Sequence, residues 1–157
     1  MGSGKTTVGR ALAETLDLPH RDSDADIEAE QGRTARAIAA TDGVDRLHDL
    51  ELAHLRDRLS EPGPSIVSAA ASVIDDPAAR RLLERPGVRV VWLRVDPTTA
   101  ARRAATGRHR PNPEPLPEQA ARRDPLFRAV ADVTVDAALP VDHIVAQVLA
   151  ATGHDSR

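Results

Sequence analysis

The chain opens Met1-Gly2-Ser3-Gly4-Lys5-Thr6-Thr7 and runs at once into an apolar stripe at helical spacing: Val8, Ala11, Leu12, Ala13 and Leu16. Few local patterns restrict a fold as tightly. Gly-x-Gly-Lys-Thr at the head of a helix is the second half of G-x-x-x-x-G-K-[ST], a loop whose backbone N–H groups converge on phosphate oxygens. Gly2, Ser3 and Gly4 supply the bend, Lys5 reaches the outer phosphates, and the Thr6 hydroxyl suits Mg²⁺, with Thr7 completing the turn. The helix N-terminus adds a positive dipole end that favours an anion. Composition sharpens the point. Of 21 basic residues Lys5 is the only lysine and the other 20 are arginine. A lysine is a compact point charge on a thin stem, a shape that the planar fork of arginine does not reproduce.

The first glycine of that pattern would lie before Met1, and so would the buried strand that delivers the chain into such a loop. In a doubly wound sheet this strand is central, and its loss leaves two neighbours unpaired. The chain is therefore expected to be truncated at its N-terminus, lacking a short Val/Ile/Leu-rich strand that ends in Gly-x.

Downstream, strands and helices alternate. Strands are expected at Leu18 to Asp22, Ser65 to Ser68, Val88 to Val95 and Val133 to Val135. Helices are expected at Arg33 to Ala40, Val44 to Leu59, Asp76 to Glu84, Pro97 to Thr106, Pro125 to Ala131 and Val141 to Ala151. Asp76 before Pro77 is a helix cap by residue type. Such alternation predicts a parallel sheet covered on both faces, in one domain.

Other features exclude function classes. A net charge of -3 gives no bulk attraction to nucleic acid or an anionic membrane. The absence of cysteine removes disulfides and thiolate metal sites. No run reaches the ~18 apolar residues of a membrane span, so a soluble, cytoplasmic protein is expected. His20, His54, His109, His143 and His154 show no paired metal-ligand spacing. Trp92 and Phe127 are the only aromatic residues and are expected in the core rather than under a nucleic-acid base.

Further motifs follow in a fixed order. Asp22-Ser23-Asp24 closes the second strand, then come Gly32-Arg33-Thr34 and Asp42-Gly43 before a helix bearing Glu51. Arg110-Pro111 follows the Arg102-Arg103 helix, and Arg123-Asp124-Pro125-Leu126-Phe127 leads into Asp132-Val133-Thr134-Val135-Asp136. From Met1 to about Leu149 the chain resembles the shikimate kinases, small P-loop kinases of the nucleoside monophosphate kinase fold. The resemblance implies a three-layer α/β/α P-loop fold around a parallel five-stranded sheet whose first strand is missing here, in a single domain, 1–157, with a lid at about 107–123. It implies ATP and Mg²⁺ as cofactors, shikimate or a similar polyol as the small-molecule partner, a monomer, and a place in aromatic amino acid biosynthesis.

Site roles carry over residue by residue. Lys5 and Thr6 match the residues that hold ATP and Mg²⁺. Asp22 matches the acid that organises Mg²⁺ through water; Asp24 matches the one that binds the substrate hydroxyls and takes up the proton of the attacking one. Period two along a strand would aim both carboxylates into one cleft, and a polar turn capping the next helix is the alternative for the same pair. Arg110 matches the ATP-contacting lid arginine, with Arg108 beside it as a substitute, and both are otherwise simply solvated arginines. Arg123 matches the ligand of the substrate carboxylate, for which a guanidinium fork is suited.

Three departures fall on the acceptor side. His48 stands where the family has a second carboxylate-clamping arginine, and an imidazole has no fork. Ala69-Ala70-Ala71 replaces a glycine run lining the substrate pocket, near Ala70, so methyl groups would intrude there, and a position needing left-handed backbone would be strained by ~1–2 kcal/mol. The lid is short and alternates Pro111, Pro113, Pro115 and Pro117, which favours extended backbone. Three functions stay open: a shikimate kinase with a weaker clamp, a kinase of another polyol or sugar acid on the same fold, and a nucleotide-binding homologue without transfer activity.

Overall fold

Helix α1, Lys5–Leu16, starts at Gly4, whose positive φ of 81° turns the chain into the helix axis. Left-handed backbone of this kind is open to glycine at no steric cost. The computed structural model describes residues 3–96, 98–99 and 115–153. After α1 the chain forms β1 (His20–Asp22), α2 (Ser23–Gln31), α3 (Ala35–Asp42), α4 (Val44–Arg58), β2 (Ile66–Ser68), a 3-10 helix (Ala71–Asp75) and α5 (Pro77–Leu83). It continues through β3 (Val91–Arg94), α6 (Leu116–Val130), β4 (Val133–Asp136) and α7 (Val141–Thr152).

The strands pair as two parallel ladders. β1 lies on β2 with Asp22 opposite Ser68, and β3 lies on β4 with Val91 opposite Val133. Apolar residues on α1, β4 and α7 close one core: Val8, Leu12, Val135, Ile144, Val145, Val148 and Leu149. Ile66 of β2 and Val91 and Leu93 of β3 pack against that same cluster, so both ladders share one apolar body. A second cluster, Ile27, Ala35, Ile38 and Leu47, binds α2, α3 and α4 together. A third, Leu55, Ala70, Val73 and Ala79, joins α4 to the segment after β2. Trp92 and Phe127 stack at 5.5 Å between ring centroids; Trp92 is buried as expected, whereas Phe127 is only half-buried. Among the described residues no helix is long and apolar enough to cross a membrane.

Several expected boundaries move, each for a local reason. Helix α2 was not anticipated: the Asp22 carboxylate accepts from the N–H groups of Asp24 at 3.1 Å and Ala25 at 3.2 Å. Satisfying those two orphan donors starts a helix directly at the end of β1. The helix expected over Arg33 to Ala40 begins later, at Ala35, because the Thr34 hydroxyl accepts from the Ala37 N–H at 3.1 Å. The strand expected over Val88 to Val95 narrows to Val91–Arg94, the stretch paired with β4. The helix expected from Pro125 begins already at Leu116 with Pro117 in its first turn, so the described end of the expected lid, Leu116 to Arg123, is helical. Pro125 sits inside α6, where its missing N–H leaves one helical bond unmade. Most of the expected Pro97 to Thr106 helix lies outside the described residues.

Where α1 crosses β1 and β2, only glycine fits. A Cβ at Gly9 would overlap the Ser68 hydroxyl and lie 2.7 Å from His20 Nε2. Both atoms belong to a hydrogen-bonded pair, so neither can yield without breaking it. Gly9→Ala is expected to destabilise the protein by about 1–3 kcal/mol, read as a lowered urea midpoint; an unchanged midpoint would mean that α1 and the strands tolerate separation here.

Candidate active site

The C-terminal ends of β1 and β2 point at the first turn of α1, the edge of a parallel α/β sheet where ligands bind. Two hydrogen bonds tie them to it. Thr6 Oγ1 donates to Asp22 Oδ2 at 2.7 Å, and Ser68 Oγ donates to the Lys5 carbonyl at 3.1 Å. His20 Nε2 lies 2.9 Å from Ser68 Oγ. Since the Ser68 proton goes to Lys5, its oxygen accepts from an Nε2–H, which sets the tautomer of His20. No side chain caps α1 at Gly4, and a methyl group added to Gly4 would meet nothing within 4 Å. Ser3, the residue before Gly4, is buried.

This arrangement brings Thr6 and Asp22 together as a pair of hard oxygen donors, the type Mg²⁺ takes alongside phosphate oxygens. Among the described residues no group of three or more His, Asp or Glu could hold a metal ion alone. Asp24 sits differently from its expected place. It lies in the first turn of α2 and not on the strand, so strand periodicity does not align it with Asp22; the Asp22 cap does. Asp22 caps α2 through Oδ1, as the capping alternative expects, and also meets the loop threonine through Oδ2. Gly2, Arg108 and Arg110 lie outside the described residues.

On the acceptor side, His48 is exposed on α4, one turn before Glu51. Glu51 is buried and accepts a hydrogen bond from Ser72. His54, one turn further, is buried with Nε2 2.8 Å from Asp26 Oδ2 and its Nδ1 without a partner. Ala70 is extended, with φ -63° and ψ 141°, and its methyl group is buried with Leu55, Val73 and Ala79. Ala69 packs against the same cluster, and Asp17 is the sole non-glycine with positive φ among the described residues. The alanine run therefore needs no left-handed backbone, and the methyl groups of Ala69 and Ala70 pack against the cluster around Leu55 and Val73.

Arg123, on α6, is partnered by Asp75 at the end of the 3-10 helix. Its Nε donates to Oδ1 at 3.1 Å and Oδ2 at 3.0 Å, and its Nη2 donates to Oδ2 at 2.6 Å. Arg122 Nη1 donates to Oδ1 at 2.5 Å. Burial pushes the Asp75 carboxyl upward, but the hydrogen bonds and charges of Arg123, then Arg122, outweigh it and hold the group below the ordinary carboxylate range. Nothing in the residue pattern singled out Asp75, Ser68 or His20. Each stands beside a recognised motif, and its role rests on a contact across at least 47 positions of sequence.

A carboxyl depressed on folding adds stability that is complete above its unfolded pKa, near 3.9, and drains away as pH falls through the folded value. Asp75→Asn is accordingly expected to flatten the acid limb of the stability curve below about pH 4, followed by urea midpoints from pH 6 downward. An acid limb identical to that of the parent would show that Asp75 gains nothing from its arginines.

The family model described as shikimate kinase matches residues 1–152. The shikimate kinase of Thioalkalivibrio sulfidiphilus is 39% identical over 142 residues, which are 87% of this chain and 74% of that one. That of Ralstonia nicotianae is 36% identical over 156 residues, 95% of this chain and 81% of that one. Among solved structures, shikimate kinase from Acinetobacter baumannii in complex with shikimate superposes with a TM-score of 0.82 at 27% identity, covering 100% of this chain and 91% of that one. A gluconokinase from Sinorhizobium meliloti is similar at a TM-score of 0.63 and 27% identity, covering 98% of this chain and 87% of that one. Matched by that family model over nearly its whole length and 36–39% identical to curated members over most of both chains, the chain belongs to the shikimate kinase family.

Proposed function

We propose that this chain transfers the γ-phosphoryl group of ATP to a ring hydroxyl of shikimate, giving shikimate 3-phosphate, as a single P-loop kinase domain. The observation that carries this reading is the 2.7 Å bond between Thr6 and Asp22, with Asp24 in the first turn of the helix that Asp22 itself caps. A phosphate loop, a cation site and an acceptor base are thereby joined through one carboxylate.

Phosphoryl transfer asks the protein for in-line positioning and for charge where negative charge collects. Gly2, Ser3, Gly4, Thr6 and Thr7 present main-chain N–H groups and hydroxyls to the phosphates, and Lys5 balances the outer ones. Thr6 and Asp22 would hold Mg²⁺, which neutralises charge between the β- and γ-phosphates when bound. Asp24 accepts the proton of the attacking hydroxyl. Arg123 would orient the acceptor through its carboxylate, His48 stands where the family's second clamping arginine would, and Arg110 would lend its charge from the lid.

A second reading, a kinase of a polyol without a carboxylate, is favoured by one observation: the fork of Arg123 is already filled by Asp75. A coupled ADP-release assay on full-length protein, run on shikimate and on a panel of neutral polyols, separates the two. Lys5→Ala is expected to abolish turnover. Asp24→Asn should keep ATP affinity by calorimetry while lowering kcat by about 10²–10⁴, and full activity in that variant would remove Asp24 as the base. His48→Arg should lower the shikimate KM by restoring a charged clamp; an unmoved KM would place the carboxylate elsewhere.

A further inference from the structure

The cluster of Asp75, Arg122 and Arg123 contains more than a structural ion pair needs. Arg123 is the inner member, its side chain 12% exposed against 46% for Arg122. Asp75 fills the Nε/Nη2 edge of Arg123, while Gln119 Oε1 accepts from Nη1 at 3.1 Å. An acceptor carboxylate would seek the same fork, because a side-on guanidinium edge binds one carboxylate bidentately. Asp75 and the acceptor therefore compete for the same donors.

The outer arginine changes what that competition involves. A partly buried carboxylate stripped of its only partner is strongly disfavoured. Asp75 is not in that position, since Arg122 already holds its Oδ1 at 2.5 Å.

Resting on the shikimate reading of the site, we propose that Asp75 is a specificity-determining gate: it occupies the fork of Arg123 and passes to Arg122 when an acceptor carboxylate takes its place. Asp75 then sets the affinity for charged acceptors, and Arg122 is a positioning residue that acts through Asp75 rather than on the acceptor.

The test is a double-mutant cycle on full-length protein with Asp75→Asn, Arg122→Ala and the combination, using shikimate and its uncharged methyl ester as acceptors. Asp75→Asn should lower the shikimate KM about tenfold, leave the ATP KM unmoved, and give no such gain with the ester. Arg122→Ala should raise the shikimate KM several-fold, and that increase should vanish in the Asp75→Asn background. A shikimate KM unchanged or raised by Asp75→Asn overturns the gate, as does an Arg122→Ala effect of equal size in both backgrounds. Should Asp75→Asn fail to fold, Arg122→Ala decides alone: a rise in KM for shikimate but not for the ester supports the exchange, and parallel changes overturn it. Absence of shikimate turnover and of calorimetric binding in every protein, parent included, would remove the acceptor reading and the gate together. Turnover by the parent with a flat cycle would remove the gate alone.

Discussion

The joint between the first turn of α1 and the ends of β1 and β2 governs the placement of everything else. Ser68 holds the Lys5 carbonyl while Asp22, its register partner on the neighbouring strand, holds the Thr6 hydroxyl. Two adjacent loop residues are thus fixed by two adjacent strand termini, one through main chain and one through side chain. Gly9 makes this closeness possible one helical turn later. The Asp22 carboxylate then divides its oxygens between loop and helix, so the position of Asp24 follows from the same joint. The loop, the two strand ends and the start of α2 are thus held in one fixed arrangement by Asp22 and Ser68.

The acceptor side is organised by internal ion pairs and hydrogen bonds. Glu51 with Ser72, His54 with Asp26, and Arg123 with Asp75 each satisfy a buried or half-buried polar group. Groups of this kind are costly when left alone and stabilise the fold only in company. The sequence departures at His48 and Ala69 to Ala71 belong to this same region. The methyl groups of Ala69 and Ala70 serve the core around Leu55 and Val73.

Much of the fold was legible in the chain because it rests on local patterns. The stripe from Val8 to Leu16, the Asp76-Pro77 cap and the Val141 helix all appear where residue spacing places them. Helix α2 was hidden because its starting signal, Asp22, reads equally as a catalytic acid, and Ser23, Asp24 and Asp26 are poor helix formers away from a cap. The beginning of α6 was hidden by prolines that look like extended lid, although Pro117 is well suited to a first helical turn.

The amino-acid sequence by itself determined the phosphate loop, its lone lysine, the alternation that makes a parallel sheet and the order of motifs shared with the shikimate kinase family. These are matters of spacing over a few residues, where backbone geometry and hydrophobic periodicity act directly. Only the tertiary structure decided that Ser68 and His20 stand behind the loop, that Ala70 faces the core, and that Arg123 already holds a carboxylate. The contacts of Ser68, His20 and Arg123 join residues 48 to 63 positions apart. Side chains so distant along the chain meet only after the elements carrying them have packed, and no local pattern encodes which partner a buried arginine will find.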